Sequence, residues 1–366
     1  MMTWYLLYFL IFLAGLVAAL ALTPCFRALA IRCDLMDRPR SEQHKGHGRA
    51  TPLLGGAAMF SAWLLVLALG GAALLFDRVP AAARELVTPH IAGAVSVAPR
   101  LGFVVLGAAL AMLLGLRDDR RPMKAAPKFL GQFAVALIAV LLGGARLSFF
   151  CPWEWVGTVA TLFWYMLLMN AINFFDNMDG LAVGTITIAM LFFAAVGALN
   201  GQYFVASLAA LTAGVGAGFW YYNRHPAMLF MGDSGSLFLG YMAATVSVFT
   251  TYFRLDQSLS RLPVLLPFFI LAVPLFDTAA VVLIRTRNRK PFWIGDHNHI
   301  SHRFARMGLS RPAAVAMVHL LSIIISLGTL PLLWGDFRTA AVLAVQALLL
   351  LTFVSVLQIA LARRDP

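Results

Sequence analysis

The polar residues best suited to chemistry stand at the end of an apolar run, in the segment from Asn170 to Gly180. Asn170, Asn173, Asp176 and Asp179 follow one another at steps of three. Because a helix turns about 100° per residue, each step shifts the side chain by about 60° around the axis, and the four spread over roughly half the circumference. Since Gly180 permits a sharp turn, the pattern predicts a helix end that bends around a site; simple capping of helix termini is the alternative. Carboxylates beside a membrane segment indicate a metal and phosphate site.

A second acidic feature is the adjacent pair Asp118 and Asp119, which follows another apolar run. Two neighbouring carboxylates repel each other, so one of them holds a proton more readily unless a cation lies beside the pair. Such a pair suits a proton acceptor or a metal ligand. A solvated loop is the alternative interpretation, since Arg117, Arg120 and Arg121 flank the two acids.

A third segment, Met231-Gly-Asp-Ser-Gly-Ser236, precedes a further apolar run. An Asp or Ser at this place predicts a helix N-cap, and the free amides of a helix start favour an anion. Magnesium is bound by about six oxygens, of which one or two commonly come from carboxylates. Asp233 alone could therefore supply the protein ligand, and capping without metal binding is the alternative.

The last cluster, Gly295–Arg303, carries three histidines at positions 297, 299 and 302 within a strongly basic loop. Their spacing differs from that of zinc hydrolases and no cysteine is near, which disfavours a structural zinc site. We interpret these residues as hydrogen-bond donors to a diphosphate.

One acidic residue, Asp277, falls inside an apolar run, about two turns before Arg285. Ionisable residues within a membrane segment are rare and almost always have a partner. We expect Asp277 to pair with a cation or polar group of the bundle rather than to act in catalysis.

The composition places these candidates in an integral membrane protein. Of the 366 residues 61% are hydrophobic and only 12% are charged, and the mean hydropathy is +0.83. The apolar runs are long enough to cross a hydrocarbon core, which takes roughly 20 residues per helix, and helices satisfy their own backbone in lipid. We predict an all-α polytopic helix bundle that forms a single domain, residues 1–366, with about eleven transmembrane helices. The predicted spans are 3–23, 53–76, 99–116, 129–146, 155–174, 181–199, 202–221, 234–253, 262–284, 313–333 and 339–361.

The basic residues predict the orientation of this bundle. When every second loop from residue 24 onward is assigned to one side, that side carries 21 of the 28 Lys and Arg residues. The positive-inside rule places it in the cytoplasm, with the N-terminus outside and the C-terminus inside. The candidate acids lie on the same side, so the site is expected to face the cytoplasm. We attribute the net charge of +12 mainly to the basic residues that set the membrane orientation, and we expect no nucleic-acid partner.

Taken together, these segments resemble those of the polyprenyl-phosphate N-acetylhexosamine-1-phosphate transferases. That family includes the undecaprenyl-phosphate N-acetylglucosamine-1-phosphate transferases and the phospho-N-acetylmuramoyl-pentapeptide transferases. The similarity covers nearly the whole chain and rests on six ordered motifs. They are Pro52-Leu-Leu-Gly-Gly56, Asp118-Asp119 with Lys128 and Gln132, Asn170–Gly180, Met231–Ser236, Pro274-Leu-Phe-Asp277 and His299-Ile-Ser-His302.

The resemblance implies transfer of a sugar-1-phosphate from a UDP-sugar to a membrane-embedded polyprenyl phosphate, with release of UMP. It implies Mg²⁺ as cofactor, with Mn²⁺ as an alternative, a bacterial inner-membrane location and the initiating step of a cell-envelope glycan; a homodimer is compatible with it. We favour the N-acetylglucosamine branch, with the phospho-N-acetylmuramoyl-pentapeptide transferase as the alternative.

Carried over by position, the resemblance also assigns roles to residues. Asp233 looks like the principal metal ligand, and Asp118 and Asp119 look like the pair that deprotonates the lipid phosphate and positions the metal. The nucleotide and metal cleft would be lined by Asn170, Asn173, Asp176 and Asp179. Phosphate would be neutralised by Lys45 and Lys128, and the diphosphate would be contacted by His299, His302 and Arg303.

Two positions depart from the common family pattern. Ser301 stands where relatives usually carry the middle histidine of His-x-His-His, and the loop around Lys45 differs in detail from common forms. A lipid or nucleotide-sugar transporter is the competing class of function. It predicts inverted repeats and polar residues near the bilayer midplane, and the sequence shows neither.

Overall fold

The structure is a computed structural model that describes residues 3–38, 50–76, 78–147, 153–253, 259–289, 291 and 298–362. These residues form fourteen α-helices and one two-stranded ribbon. The first seven helices are α1 (Trp4–Arg32), α2 (Gly55–Leu75), α3 (Ala81–Val87), α4 (Ile91–Arg120), α5 (Ala125–Leu141), α6 (Glu154–Phe175) and α7 (Leu181–Leu199). The others are α8 (Tyr203–Asn223), α9 (Gly232–Phe249), α10 (Leu266–Ile270), α11 (Ala272–Arg287), α12 (Ile300–Arg306), α13 (Arg311–Thr329) and α14 (Phe337–Ala362). The antiparallel strands are β1 (Met36–Asp37) and β2 (Thr51–Pro52).

The helices confirm the all-α polytopic membrane class. Every predicted span overlaps a helix, and in the described part of the chain eight helices are long and apolar enough to cross a membrane. A ninth span is obtained if the 3₁₀ turn and α10 are joined with α11, across a bend of 70°. The remaining two predicted spans correspond to α5, which has 17 residues, and to α9, which begins with the polar segment. The number eleven and the orientation remain predictions.

Helix α9 occupies the centre of the bundle. All fifteen residues from Ser234 to Val248 are buried, and the helix packs against α2, α4 and α6. Helices α7 and α8 pack on each other and α8 packs on α1, so they form a second group beside it. A helix that is buried on all sides can be held at a fixed depth and rotation, which suits it to carry a site at its end.

Close packing fixes the N-terminal end of α9. A Cβ atom at Gly115 of α4 would collide with the backbone of Asp233, and one at Gly56 of α2 would collide with the backbone of Gly235. Backbone hydrogen bonds run from the amide of Phe230 to the oxygen of Pro52 (2.9 Å) and from the amide of Gly56 to the oxygen of Met231 (3.0 Å). The Pro52–Gly56 motif therefore acts as a docking edge for the segment that begins α9.

Candidate active site

The sequence-predicted acids come together at one end of the bundle. The end of α4, the start of α5, the end of α6 and the start of α9 meet there, because these neighbouring helices alternate in direction. The site is built from side chains on each of these four helix ends.

Asp119 caps helix α9 from outside that helix. Its Oδ1 accepts a hydrogen bond from the amide of Asp233 at 2.7 Å, and its Oδ2 accepts one from the amide of Ser234 at 3.1 Å. The sequence predicted that α9 is capped by its own Asp or Ser, and this was wrong. Its N-cap residue is Met231, whose side chain makes no capping hydrogen bond. Gly232 adopts φ +66°, and the nearest Asp119 carboxylate oxygen lies 2.7 Å from the position that a Cβ would take.

Lys128 of α5 joins the other two acids of the cluster. Its Nζ lies 2.8 Å from Asp118 Oδ2 and forms a second, very short ion pair with Asp233 Oδ2. The remaining oxygen of Asp118 accepts a hydrogen bond from the amide of Met123 at 2.5 Å. One ammonium group thus holds together two carboxylates that would otherwise repel each other.

Asn173 of α6 completes the surroundings of Asp233. Its Nδ2 donates to Asp233 Oδ1 and to Ser236 Oγ, both at 2.8 Å, and its Oδ1 accepts from Lys128 Nζ at 3.4 Å. The Asp233 carboxylate is therefore oriented from both sides, by a lysine on one oxygen and by an amide on the other.

Asn170 lies one turn earlier on α6 and contacts a different partner. Its Nδ2 donates to Gln132 Oε1 and to the backbone oxygen of Met166, both at 2.7 Å. This places Asn170 in the contact between α5 and α6, where it fixes the helix that carries Lys128.

Asp176 follows the end of α6, and within the described part of the chain its carboxyl group has no ion pair or hydrogen bond of the kind that Asp118, Asp119 and Asp233 have. Burial, together with the charges of Asp233 and Asp179, raises the pKa of Asp176 to about 8. Among the described residues, no group donates a hydrogen bond to its carboxylate. The local excess of negative charge is what a bound cation would relieve.

Asp179 is held by the loop that follows α8. Its Oδ2 lies 2.8 Å from His225 Nδ1 and accepts a hydrogen bond from the amide of Ala227 at 3.2 Å. Gly180 adopts φ +75°, as the predicted sharp turn requires, and its amide donates to Asn223 Oδ1 at 3.0 Å. His225 and Asn223 were missed in the sequence, where the only signal was a short polar interruption between two apolar runs.

The histidine segment reaches the same end of the bundle through Ser301. The Ser301 hydroxyl donates to Asn177 Oδ1 at 2.6 Å, which ties α12 to the loop that carries Asp176. The rings of His299 and His302 have their centroids 6.3 Å apart, and Arg303 Nε donates to the backbone oxygen of Asn298 at 2.8 Å.

Asp277 has the partner that the sequence led us to expect. The partner is His299, whose Nδ1 lies 2.6 Å from Asp277 Oδ2.

A divalent ion fits the donor set without a ready-made cage. Among the described residues, no three His, Cys, Asp or Glu side chains are arranged as a complete ligand group. Asp233, the predicted ligand, has Lys128 on one oxygen and Asn173 on the other, so an ion would have to share or displace these contacts. Asp176 lies close enough for the charge of Asp233 to act on it, and its carboxylate receives no hydrogen bond from a described residue. Mg²⁺ commonly takes one or two carboxylates and completes its shell with water and substrate phosphate.

The structure thus brings together most of the predicted residues around the start of α9. Asp118, Asp119, Lys128, Asn173 and Asp233 are joined in a chain of contacts centred on Asp233 and Lys128, and Asp176 lies close enough for the charges of Asp233 and Asp119 to act on it. The other predicted residues make their contacts outside this cluster: Asn170 with Gln132, Asp179 with His225, His299 with Asp277 and His302, and Arg303 with Asn298. Lys45 lies outside the described residues.

Comparison with known proteins is consistent with this geometry. The model of glycosyl transferase family 4 matches residues 101–251, a range that begins within α4 and ends after α9. A probable undecaprenyl-phosphate N-acetylglucosaminyl 1-phosphate transferase of Bacillus subtilis is 30% identical over 88% of this chain and 84% of its own length. A decaprenyl-phosphate N-acetylglucosaminephosphotransferase of Mycolicibacterium smegmatis is 32% identical over 97% of this chain and 89% of its own length. A phospho-N-acetylmuramoyl-pentapeptide-transferase of Desulforamulus reducens is 30% identical over 76% of this chain and 80% of its own length.

Proposed function

Because the chain belongs to glycosyl transferase family 4, we propose that it transfers N-acetylglucosamine-1-phosphate from a UDP-sugar to undecaprenyl phosphate and releases UMP. The observation that carries this proposal is the contact of Lys128 with both Asp118 and Asp233, beside the uncompensated Asp176. Such a mixture of carboxylates and a cation at the edge of a membrane bundle suits the meeting of a soluble diphosphate with a lipid phosphate.

The reaction is a displacement at phosphorus. An oxygen of the lipid phosphate attacks the phosphorus atom that bears the sugar, a new P–O–P bond forms, and the bond to the UMP oxygen breaks. Both reactants are anions, so catalysis consists mainly of charge neutralisation and alignment. A strong general base is not required, because the attacking phosphate is already ionised at neutral pH.

Each residue of the cluster has a part in this chemistry. Asp233 and Asp176 would hold Mg²⁺, which when bound supplies positive charge to the diphosphate. Lys128 would neutralise phosphate while it keeps Asp118 and Asp233 in place, and Asp118 would assist the approach of the lipid phosphate. Asp119 would hold the start of α9 and take no part in proton transfer, because its two carboxylate oxygens accept hydrogen bonds from backbone amides.

The second set of residues would contact the donor. His299, His302 and Arg303 lie on or next to α12, which is attached to the Asp176 loop through Asn177 and Ser301. Their hydrogen-bond donors suit the diphosphate of a UDP-sugar. The excess of basic residues supports placing this end of the bundle at the cytoplasmic face of a bacterial plasma membrane.

The assay for the proposal measures UMP release by purified protein given Mg²⁺, undecaprenyl phosphate and a panel of UDP-sugars. We expect release with UDP-N-acetylglucosamine and none without lipid phosphate. The Asp233→Ala variant should insert normally and lose activity by about a hundredfold or more. Glu154→Gln is the matched control, because Glu154 forms only an exposed ion pair with Arg146. If none of the UDP-sugars released UMP, the proposed reaction would be contradicted.

A second candidate is transfer of phospho-N-acetylmuramoyl-pentapeptide, which the relative from Desulforamulus reducens supports. The coverage of that relative is smaller than that of the N-acetylglucosamine relatives. The same assay separates the two, since UDP-N-acetylmuramoyl-pentapeptide would then be the preferred donor.

A further inference from the structure

Asp277 of α11 is a fully buried carboxylate that the proposed chemistry does not use. Its side chain has no exposed surface, and burial of a carboxylate is costly unless its oxygens are hydrogen-bonded. Both oxygens are occupied: Oδ1 accepts from the amide of Ile300 at 2.6 Å, and Oδ2 lies 2.6 Å from His299 Nδ1. Asp277 thus contacts both the ring of His299 and the first residue of α12.

This contact fixes which nitrogen of His299 remains for a ligand. A carboxylate beside Nδ1 accepts a hydrogen bond from the N–H at that position, which fixes the tautomer and the orientation of the ring. His299 is only 3% exposed, so its ring has little freedom apart from this bond. Nε2 is the nitrogen left to interact with a substrate.

The segment that carries His299 is also fixed relative to the acidic cluster. Ser301 follows His299 by two residues and donates to Asn177, the neighbour of Asp176. Asp277 therefore holds the histidine from the α11 side while Asn177 holds the same short helix from the α6–α7 loop. The position of the imidazole relative to the start of α9 follows from these two anchors.

We propose that Asp277 is a positioning residue that acts through His299 and keeps the Nε2 atom directed at the diphosphate of the donor. The inference rests on the proposed function, because it takes a UDP-sugar as the ligand. Asp277 itself touches no substrate.

Asp277→Asn tests this directly. The amide oxygen can still accept from Ile300, whereas the NH₂ group opposes the proton on His299 Nδ1, so the ring must change its protonation or turn. We expect kcat/KM for the UDP-sugar to fall about 10- to 100-fold, with a higher KM for the donor. The KM for polyprenyl phosphate should stay at its wild-type value, while loss of the buried hydrogen bond lowers the melting temperature in detergent. Wild-type donor kinetics in this variant would overturn the proposal.

A double-mutant cycle separates positioning from structural support. If Asp277 acts through His299, adding Asp277→Asn to His299→Gln should cost less than about twofold further, since residues that share one interaction are not additive. Equal losses in the two backgrounds would show that Asp277 acts on something else and would overturn the inference.

His299→Asn decides the matter if Asp277→Asn does not fold. Its amide nitrogen can replace Nδ1 and keep the bond to Asp277, but it has no atom at the Nε2 position. We expect a folded protein with a moderately lower melting temperature, because the smaller side chain leaves buried space, and a large loss of kcat/KM. Full activity would overturn the proposal.

Gln358→Leu is the control for loosening of α12. Gln358 Nε2 donates to the backbone oxygen of Ile300 at 3.2 Å, so the change removes a buried bond to the same helix without touching the imidazole. It should lower the melting temperature and leave the KM for the donor unchanged. A rise in that KM equal to the rise in Asp277→Asn would assign the effect to helix packing and overturn the positioning role.

The two levels of the proposal fail in different ways. If the wild-type protein releases no UMP from any donor, the proposed function fails. If the wild-type protein is active and Asp277→Asn matches it, only the role of Asp277 fails.

Discussion

At the scale of residues, the aspartates of the cluster differ in how their charge is compensated. Backbone amides occupy Asp119, Lys128 binds Asp118 and Asp233, and Asp176 receives no hydrogen bond from a described residue. The same residue type therefore serves as a helix cap, as a partner in an ion pair and as a partly buried carboxyl group to which no described residue donates a hydrogen bond. Different substitutions should separate these roles.

Asp119→Ala should affect stability as well as activity. It leaves the amides of Asp233 and Ser234 without their acceptor, and loss of a helix cap costs about 0.5–2 kcal/mol. We expect a lower melting temperature together with reduced kcat, measured on protein purified in detergent. Asp176→Ala should reduce kcat without lowering the melting temperature. Equal stability of Asp119→Ala and wild type would show that the Asp119 cap contributes little to the free energy of unfolding.

The raised pKa of Asp176, about 8, predicts that metal binding depends on pH. Below this value the carboxyl group is mostly protonated, so Mg²⁺ must displace a proton, and the apparent affinity should rise with pH and level off above about 8. Titration calorimetry on the protein without substrate measures this directly. Asp176→Asn should weaken binding and flatten the dependence; an unchanged slope in that variant would exclude Asp176 from the metal site.

At the scale of elements, the site depends on how closely α9 approaches α2 and α4. Gly115 and Gly56 allow the backbones to touch at the start of α9, where any side chain would collide. The cap from Asp119 and the ion pair through Lys128 both require this approach. Packing of small residues thus places the carboxylates before any ligand is bound.

Gly115→Ala tests this dependence on packing. The added Cβ meets the backbone of Asp233, which cannot move without shifting the carboxylate, so we expect both stability and kcat to fall. Gly102→Ala on the same helix is the matched control, because no atom lies within 4 Å of its Cβ position. There the replacement of glycine should be neutral or mildly stabilising, by up to about 1 kcal/mol. Similar behaviour of the two variants, in thermal unfolding and turnover, would argue against the packing role.

Features of the site that depend on neighbouring residues could be predicted from the sequence, whereas contacts between residues far apart in the chain could not. The turn at Gly180 and the helix end before Asp176 were predicted, because local spacing determines them. The capping of α9 by Asp119 could not be predicted, because it joins residues more than a hundred positions apart. The pair of His225 with Asp179 could not be predicted either, because the packing of α8 against α7 brings the two residues together.

At the scale of the whole molecule, the chain is a polytopic bundle whose reactive groups collect at one end. The basic residues predict that this end is cytoplasmic. Carboxylates grouped at an edge suit an enzyme that joins a soluble donor to a lipid, whereas a transporter would place its polar groups near the midplane.

The predicted orientation can be measured by cysteine labelling in intact cells. In a background that lacks Cys25, Cys33 and Cys151, a membrane-impermeant thiol reagent should label Asp336→Cys and should not label Ser310→Cys. Both positions are exposed at helix starts, so the comparison is matched. Labelling of Ser310→Cys and not of Asp336→Cys would show that the orientation is opposite to the predicted one.

The proposed reaction requires that Asp233 and Asp176 hold a divalent ion beside the Lys128 ion pairs. The most direct measurement is the anomalous diffraction signal of Mn²⁺ in crystals of the wild-type protein and of Asp233→Ala. We expect one strong peak in bonding contact with the Asp233 carboxylate in the wild-type crystals, and no such peak in the variant. A peak at another place, or one that persists without Asp233, would contradict it.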